Sequence, residues 1–446
     1  MKYHSSKRDL FLIPLHVIGL INLPEFKPNV WWLHTYTAKS VFFCTAAMIG
    51  CLHFGNTVFY AVHDLTEFLQ KLLESAIASV YVGEIFICKF QIDLIINMFD
   101  LQDEIFSVSN WKIYKKFVRK ENFEISVLLL IGIIIVLGIT LETILPLSDR
   151  TLYVMTSIYQ HKIPSRVLPF NLYTGSIDVT DRLDTYCIVY VLEMYALVLF
   201  MVVVFEVVLL QITFPTPLVG QYEMLGEFGT MIGMEHRNSF GHFVFYTDLT
   251  TGKCITETKL LHNEINADLY EISKQDTILK VTEWRKKKYQ HFYIKQIVVR
   301  HQQLNKFTSQ YIKRMSHLHR IGVVPLLSAL ILSFYQMAYL RNLPWFHCLK
   351  TFGEFVFLML NIWHITYQSE QLNHCNEIIE RAVYQSDWYK CSPDLRRKVC
   401  MLLRTGQPKK HLSFLYGLIR FTFIFFVKIL KAAFNFLNFM KIEGRL

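Results

Sequence analysis

The chain has 446 residues, of which 52% are hydrophobic, 15% aromatic and only 18% charged, and its formal net charge at pH 7 is +10. This composition is too apolar for an ordinary soluble protein of this length and favours a membrane protein. The basic residues collect beside apolar segments, where attraction to anionic membrane lipid and control of topology explain them more simply than nucleic-acid binding does.

Residues 1–36 are expected to form a cytoplasmic amino-terminal segment. Within it, residues 11–24 (FLIPLHVIGLINLP) are short, interrupted by proline and without a clear small-residue cleavage site, so a cleavable signal peptide is not indicated. We predict that this stretch is an amphipathic helix or a segment that re-enters the membrane interface.

Seven segments are apolar and long enough to cross a membrane as helices. The second is the least apolar, because four charged residues give it a polar stripe that a span inside a bundle can hide from lipid. That stripe consists of Glu67, Lys71, Glu74 and Glu84. The fold class predicted is therefore an all-α membrane protein with seven transmembrane helices, at residues 37–60, 65–90, 125–147, 186–214, 321–340, 346–367 and 412–440.

The distribution of lysine and arginine predicts the orientation of these spans. Basic residues collect at 111–120, at 284–314 and at 396–410, and positive charges beside spans stay on the cytoplasmic side. The amino terminus is then cytoplasmic and the carboxyl terminus extracellular, which is opposite to a G-protein-coupled receptor. Residues 37–214 hold the first four spans and an outer loop at 148–185, and residues 321–367 hold the fifth and sixth.

Between the fourth and fifth spans, residues 215–320 are predicted to form a cytoplasmic helical region. Its later part, from Val281 onward, has apolar residues at helical spacing and is expected to run as a helix into the fifth span. These residues are Ile297, Leu304, Phe307 and Tyr311.

Residues 368–410 are predicted to form cytoplasmic anchor helices before the last span, because they are amphipathic and too charged to face lipid. The first helix ends near Trp388 and Tyr389. The second begins where Ser392 offers an N-cap hydroxyl and Pro393 suits the first helical position, and it ends at Gly406.

Residues 411–446 contain the last span and a short extracellular tail. The apolar run carries Arg420, Lys428 and Lys431. Charges at such depth face a protein interior or a water-filled path, unless they lie close enough to an end for the side chain to reach the interface.

No motif indicates an enzyme, a cofactor or a metal site. The chain has no glycine-rich phosphate loop, no GxSxG and no HExxH, and its nine cysteines lack zinc-binding spacing. Cys187 and Cys348 are a possible disulfide pair near the outer face. Glu193, Glu206 and Glu354 are candidate relays of a transporter, but hydrogen bonding between helices explains them more simply, and no internal repeat supports a transporter.

One set of motifs resembles the insect odorant receptors. Leu168–Phe170 is similar to the outer-loop motif of that family, and Arg300–Phe307 is similar to its cytoplasmic helix before the fifth span. The motifs at the carboxyl end that carry the resemblance are Tyr384, Trp388, Tyr389, Arg396–Lys398, Arg404, Gln407–Pro408 and the aromatic run FVKILKAAFNFLNF.

Related classes fit less well. The last span lacks the TYxxxxxQF motif of gustatory receptors, whose ligand-gated channels are the nearest alternative. It is also rich in phenylalanine rather than valine, unlike the olfactory co-receptor. A G-protein-coupled receptor would usually carry Asp-Arg-Tyr and NPxxY, and neither motif is present.

The resemblance implies a ligand-tuning subunit of a tetrameric ligand-gated cation channel in the plasma membrane of olfactory sensory neurons, usually assembled with the co-receptor. It places the contacts between subunits, the subunit anchor, at Tyr384, Trp388, Tyr389, Arg396 and Arg404. By the same analogy, the pore-lining residues are Phe434, Leu437, Asn438 and Ile442. Lys428 and Lys431 are expected to point away from the pore, since facing it they would repel cations.

The resemblance also implies a small volatile odorant bound in the outer half of the bundle, between the second, third, fourth and sixth spans. Aromatic and methionine side chains suit such a ligand, because dispersion and burial supply affinity with few hydrogen bonds. By position in the spans, the predicted ligand-contacting residues are Val80, Tyr81, Ile135, Gly138, Met194, Tyr195 and Phe352.

Overall fold

The computed structural model of the protein is mostly helical. It describes residues 3–17, 48, 50–144, 152–170, 179–237, 240–256, 275–318, 320, 322–339, 345–406 and 410–442. The helices are α1 (Tyr3–Val17), α2 (residues 50–59), α3 (Leu65–Phe90), α4 (Ile92–Ile105), α5 (Trp111–Ile144), α6 (Leu183–Thr213), α7 (Pro215–Thr230), α8 (Gln275–Leu318), α9 (Val323–Tyr339), α10 (Trp345–Tyr384), α11 (Pro393–Gly406) and α12 (Phe423–Ile442).

Two short antiparallel hairpins accompany the helices in these ranges. The strands are β1 (Val244–Thr247) paired with β2 (Cys254–Thr256), and β3 (Ser413–Phe414) paired with β4 (Ile419–Arg420).

Helix α10 occupies the centre of the bundle. It packs against α5 and α7 along most of its length and also contacts α9, α11 and α12. On the far side of α9 lies α3, so α9 stands between α3 and α12. Buried apolar side chains from these helices join into one core. We call the end of the bundle that carries residues 152–170 the loop end, and the opposite end, which carries α8, the α8 end.

Several helix bounds agree with the sequence. Helix α3 begins and ends at the limits predicted for the second span, and α11 begins at Pro393 and ends at Gly406 as its capping residues indicate. Helix α5, however, begins at Trp111 rather than near residue 125. Half of residues 111–124 are lysine, arginine or glutamate, which are good helix formers, and none is glycine or proline, so the helix extends beyond the apolar segment.

The sixth span and the first anchor helix form one element. Helix α10 runs without a break for 40 residues from Trp345 to Tyr384. The chain has neither glycine nor proline between Phe355 and Tyr384, so nothing in this stretch ends the helix where its apolar part gives way to its charged part.

The last helix is shorter than its apolar run. Residues 412–421 were predicted to be helical, but they form the β3–β4 hairpin, and α12 begins at Phe423. The turn between the strands contains Leu415 with φ 49° and Gly417 with φ 90°. Left-handed backbone at these positions ends any helix, so Arg420 lies in a strand before α12 and not inside a span.

Three helical stretches within the described ranges are long and apolar enough to cross a membrane: Trp111–Leu141, Leu183–Thr230 and Phe423–Ile442, and Val323–Ala338 is a shorter apolar helix. The predicted first span, residues 37–60, lies largely outside the described residues. The number of seven spans and the sidedness of the termini stay predictions.

At the α8 end, α8 presents the predicted apolar face to the interior. Ile297, Leu304 and Phe307 are fully buried, and Tyr311 is 1% exposed. Polar groups on the same helix are satisfied by neighbours: the Arg300 guanidinium donates to Ser107 Oγ at 3.0 Å and to Gln221 Oε1 at 2.9 Å. This region is therefore a tightly packed core rather than a loose loop.

Stability is expected to depend on pH through His301, which is 1% exposed in this core. Burial, together with the nearby positive charge of Lys410, lowers the pKa of His301 to about 4. The unfolded chain takes up a proton below about pH 6.5 while the folded protein does not, so stability is full above pH 6.5 and falls as the pH decreases toward 4. Between pH 7 and pH 5 we expect a loss of about 2 kcal/mol.

Thermal unfolding of the purified protein at pH 7 and pH 5 checks this, with His301→Gln as the comparison. The variant should lose part of the pH dependence. Burial also lowers the pKa of His236, so a remainder is expected. An unchanged pH dependence in His301→Gln would show that His301 is not responsible.

Candidate functional site

A cluster of charged side chains lies buried at the loop end. The carboxylate of Glu74 on α3 accepts hydrogen bonds from Lys71 Nζ at 2.9 Å and from Lys350 Nζ at 3.3 Å, and His53 Nε2 lies 3.9 Å from it. The side chains of Lys71 and Lys350 are only 4% and 6% exposed, and that of Glu74 is 14% exposed. We call Glu74, Lys71 and Lys350 the ionic cluster.

The ionic cluster joins two elements that are distant in sequence. Lys71 and Glu74 are one turn apart on α3, whereas Lys350 projects from the first turns of α10. Removing charges from water costs several kcal/mol per ion, and attraction between close, hydrogen-bonded partners offsets that cost only while every partner is present. The cluster therefore depends on the relative position of α3 and α10.

The outer loop is hydrogen-bonded to the bundle beside the ionic cluster. The main-chain carbonyl of Phe170 accepts a hydrogen bond from Lys71 Nζ at 3.3 Å. The main-chain N–H of Phe170 donates to Glu193 Oε2 on α6 at 2.9 Å. Two residues earlier, Leu168 is 3% exposed. Charged groups from α3 and α6 thus hold the Leu168–Phe170 motif against the bundle.

More of the loop is held by hydrogen bonds to its own stem. Arg166 donates to the main-chain carbonyls of Thr180, at 2.6 Å, and Asp181, at 3.2 Å. The Tyr186 hydroxyl on α6 donates to the carbonyl of Val167 at 3.1 Å, and the Tyr159 hydroxyl donates to the carboxylate of Glu67 on α3. The described loop residues, 152–170 and 179–182, are therefore held against the loop end of the bundle.

Four of the predicted ligand-contacting residues lie in the core of the bundle or pack against it. Val80 and Ile135 are 2% and 7% exposed in the apolar core, and Met194 packs against that core. Gly138 is buried where α5 meets α10. The side chain of Tyr81 lies outside the described part of the structure.

Two predicted contacts are placed differently from the others. Tyr195 is 42% exposed and lies on the opposite side of α6 from buried Glu193. Phe352 is 51% exposed and lies in line with exposed Trp363 on α10. Both side chains therefore face away from the core that Val80 and Ile135 share, and their contact with a ligand stays a prediction.

The ionic cluster was only partly predictable from the sequence. The polar stripe on the second span marked Lys71 and Glu74, because charged residues inside a span need partners. Lys350 was not singled out, since it lies near the start of its span, where a lysine can reach the interface. Its partner Glu74 is more than 270 positions away, and local spacing carries no information about such a pair.

A close helix crossing lies beside the cluster. A Cβ atom on Gly138 would lie 2.9 Å from Cα of Lys350, so Gly138→Ala requires α5 and α10 to move apart. We expect a cost of about 1–3 kcal/mol, as for other overpacked interiors, seen as a lower unfolding temperature.

Gly132→Ala on the same helix is the matched control, because its nearest neighbour is the flexible Met201 side chain at 3.4 Å. Alanine favours the helix there, and the change should be within about 1 kcal/mol of neutral. Equal effects of the two substitutions would argue against a tight crossing at Gly138.

Helix α12 has one face packed on its own bundle and one face that is not. Phe426, Ile429, Ala433 and Met440 are buried, and α12 contacts α9 and α10. The opposite face is exposed and carries four of the polar side chains of the helix, namely Lys428, Lys431, Asn435 and Asn438. A fifth, Lys441, lies in the last turn. We call the first four residues the polar face of α12.

The predicted pore-lining residues divide between these surfaces. Asn438 belongs to the polar face and Ile442, 86% exposed, lies in line with it. Phe434 is 56% exposed but contacts Phe334 of α9, at 5.5 Å between ring centroids, and Leu437 packs against the core. Lys428 and Lys431 share the exposed surface of Asn438, and their direction away from the pore stays a prediction.

The predicted subunit-anchor residues lie at the surface of the α8 end. Tyr384 and Tyr389 are 77% and 58% exposed, which is unusual for large aromatic side chains, and Trp388 packs against the core. Arg396 and Arg404 are exposed on α11, whose other face buries Leu395, Val399 and Leu402. An exposed aromatic and basic surface of this kind suits a protein interface.

Two further sequence hypotheses concern cysteines and metals. Cys187 has a free thiol, so the disulfide considered with Cys348 is not formed in this structure. Among the described residues, no group of three or more acidic, histidine or cysteine side chains is placed to hold a metal ion.

Comparison with known proteins concerns the family and the fold of the chain. The family model described as 7tm Odorant receptor matches residues 65–434. The structure of the insect olfactory receptor OR5 from Machilis hrabei is similar, with 11% sequence identity, a TM-score of 0.65 and coverage of 99% of each chain. The same receptor in complex with eugenol matches with 10% identity and a TM-score of 0.65, over 98% of this chain and 97% of the other. At this identity the likeness shows a shared fold. No curated protein sequence matches the chain.

Proposed function

Because the chain belongs to the odorant receptor family, we propose that it is the ligand-tuning subunit of a heteromeric, ligand-gated, non-selective cation channel. The observation that carries the proposal is the family match over residues 65–434, which includes all three residues of the ionic cluster and, at its end, most of α12. The proposed partner is the olfactory co-receptor, in a heterotetramer in the plasma membrane of olfactory sensory neurons.

The proposed ligand is a small volatile odorant bound at the loop end, which we take as the extracellular end. Val80, Ile135 and Met194 offer apolar surface there, and the similar receptor from Machilis hrabei has been solved in complex with eugenol. The nearby ionic cluster supplies charged groups with which a polar group of the odorant can form a hydrogen bond.

Two chains of packed helices connect the proposed ligand site with α12. Helix α3, which carries Lys71 and Glu74, packs on α9, and α9 packs on α12. Helix α10, which carries Lys350, contacts α12 directly. An odorant that favours one arrangement of α3 and α10 would thereby favour one position of α12, and its effect is limited to its difference in affinity for the two arrangements.

The proposed assembly surface is the α8 end. Residues 368–384 of α10 together with α11 form the anchor, and Tyr384, Trp388, Tyr389, Arg396 and Arg404 are the proposed contact residues. Their support is the exposed aromatic and basic surface described above.

Whole-cell recording tests the proposal. The chain is expressed with and without the co-receptor and exposed to a broad panel of volatiles. We expect an odorant-evoked inward cation current when both subunits are present, and an amino-terminal tag that becomes accessible only after permeabilisation. Absence of current across the panel, combined with odorant-evoked activation of a G protein, would reject the proposed function.

A further inference from the structure

We propose that the first three turns of α5 bind the headgroups of anionic phospholipids through Lys112, Lys115 and Arg119, which we call the basic strip. The inference goes beyond the proposed function and does not require the chain to form a channel. It requires that α5 crosses a membrane, as the length and apolar composition of this helix allow.

The exposed residues of α5 form one continuous stripe along the helix. At about 100° per residue, all of them fall within an arc of about 140°, while other sides of the helix pack against α6, α7 and α10. The exposed residues in the described part of α5 are Trp111, Lys112, Lys115, Lys116, Arg119, Asn122, Phe123, Ser126, Leu129, Leu130, Ile133, Leu137 and Ile144. The basic strip and the exposed apolar residues therefore lie on the same side of the helix.

The apolar part of this stripe is as long as the hydrocarbon core of a membrane is thick. From Phe123 to Ile144 the helix rises about 32 Å, and the hydrocarbon core measures about 30 Å. Among the described residues of the stripe there, only Ser126 is polar, and its hydroxyl donates to the carbonyl of Asn122 in the same helix at 2.8 Å. This part of the stripe therefore suits contact with lipid chains.

The basic strip begins where the lipid-facing part ends, on the side of the α8 end. Along the helix, Arg119 lies about 6 Å and Lys115 about 12 Å from Phe123. The headgroup layer is about 5–8 Å thick on each side of the core, and long basic side chains reach along the surface toward it. Arg119 and Lys115 can therefore contact headgroups, and Lys112 lies about one Debye length beyond the layer.

The charges of the basic strip are not neutralised by the described part of the chain. Lys116, at the edge of the stripe, donates to the carboxylate of Glu223 at 2.9 Å. No carboxylate of the described residues pairs with any member of the basic strip. The acidic side chain of Glu227 near the start of α5 accepts a hydrogen bond from Asn110 at 2.6 Å instead. The strip is therefore free to bind an external anion.

The helix itself disfavours positive charge at this position. The first turn of α5 contains no acidic residue, and the unpaired backbone N–H groups give this end of a helix a partial positive charge. Lys112 and Lys116 are four positions apart, as are Lys115 and Arg119, and like charges at this spacing repel each other. A bound anion would reduce both unfavourable terms, so the strip is better explained by an anionic partner than by helix stability.

Phospholipid headgroups are the anions that this position favours. The stripe is continuous with the surface that suits lipid chains, so a phospholipid can contact both parts at once. The guanidinium of Arg119 can bind a phosphate group through two parallel hydrogen bonds. On the predicted orientation the α8 end is cytoplasmic, and the cytoplasmic leaflet is the one that carries anionic phospholipids.

The test measures thermal unfolding of the purified full-length chain in a neutral detergent while phosphatidylserine or phosphatidylcholine is added. A lipid that binds the folded chain raises the unfolding temperature according to its affinity and concentration. Phosphatidylserine is expected to give the larger shift. In the triple variant Lys112→Gln, Lys115→Gln, Arg119→Gln its apparent affinity should fall at least tenfold, since one basic residue near an anionic surface contributes about fivefold. The shift with phosphatidylcholine should not change.

A matched control removes three exposed lysines of α8, by Lys287→Gln, Lys288→Gln and Lys295→Gln. These lysines lie about 35–47 Å along α8 from Leu318, the end of the helix that leads to α9. The net charge changes by the same amount, and the affinity for phosphatidylserine should be retained. An equal loss of affinity in both triple variants would show general electrostatic attraction and overturn the inference.

Photo-crosslinking to the unaltered chain guards against variants that fold poorly. Phosphatidylserine with a photoreactive headgroup should label residues 111–123, and the labelling should decrease at high salt, because exposed charges are then screened. Labelling confined to other segments, or equal labelling by photoreactive phosphatidylcholine, would overturn the inference. Neither measurement uses odorant-evoked current, so failure here leaves the proposed function intact, and failure of the proposed function leaves lipid binding to be judged by these results.

Discussion

Replacing Glu74 by glutamine is expected to cause the largest loss of stability of any change at the loop end. The substitution removes the negative charge that Lys71 and Lys350 share, at 2.9 Å and 3.3 Å, and leaves two ammonium groups that are 4% and 6% exposed. Breaking a buried ion pair by removing one partner costs about 3–5 kcal/mol. We expect a strongly reduced surface abundance and a lower unfolding temperature of the protein in detergent.

The control is Asp181→Asn, which removes an ion pair with Lys162 whose side chains are 50% and 66% exposed. Exposed pairs contribute little, so this variant should behave like the unaltered protein. Adding Lys350→Gln to Glu74→Gln should restore part of the stability, because one uncompensated charge is removed. If Glu74→Gln had the same unfolding temperature as Asp181→Asn, the ionic cluster would not stabilise the fold.

Substitution of Gly233 by alanine is expected to separate the anchor from α7. Gly233 follows α7 with φ 78°, and a Cβ atom there would overlap the main-chain carbonyl of Asp387, next to Trp388. The substitution therefore combines left-handed backbone with a collision against main chain, which does not move as a side-chain tip does. We expect a cost above about 2 kcal/mol and loss of assembly with the partner subunit, measured by co-purification.

Gly241→Ala is a matched control for backbone strain alone. Its φ is 81°, close to that of Gly233, but a Cβ atom there meets nothing within 4 Å. It should cost about 1 kcal/mol and leave co-purification intact. Equal losses from both substitutions would mean that strain, and not contact with Asp387, explains the result at Gly233.

Local sequence signals predicted the parts of the fold that are decided locally. The limits of α11 follow from Pro393 at its first position and Gly406 at its end, and the buried face of α8 follows from the spacing of Ile297, Leu304 and Phe307. The predicted start of the last helix, at residue 412, was wrong because an apolar run such as residues 412–421 can form either a hairpin or a helix. Gly417 was the available signal for the turn.

The candidate site was only partly predictable, for a different reason. The stripe on α3 showed that Lys71 and Glu74 need partners, but Lys350 meets them through packing of α10 against the rest of the bundle. The orientations of Tyr195 and Phe352 depend on the same tertiary contacts. Helical position alone gives the depth of such residues in a span and not the direction in which they point.

The unbroken course of α10 has a thermodynamic consequence. About 50 Å of continuous helix joins Lys350 in the ionic cluster to Tyr384 on the proposed anchor. On the proposed arrangement, an odorant that shifts this helix also changes the free energy of subunit association. Linkage is reciprocal, so the partner subunit must change the affinity for the odorant by the same factor. Odorant sensitivity is then a property of the assembled complex and differs with the partner that the chain recruits.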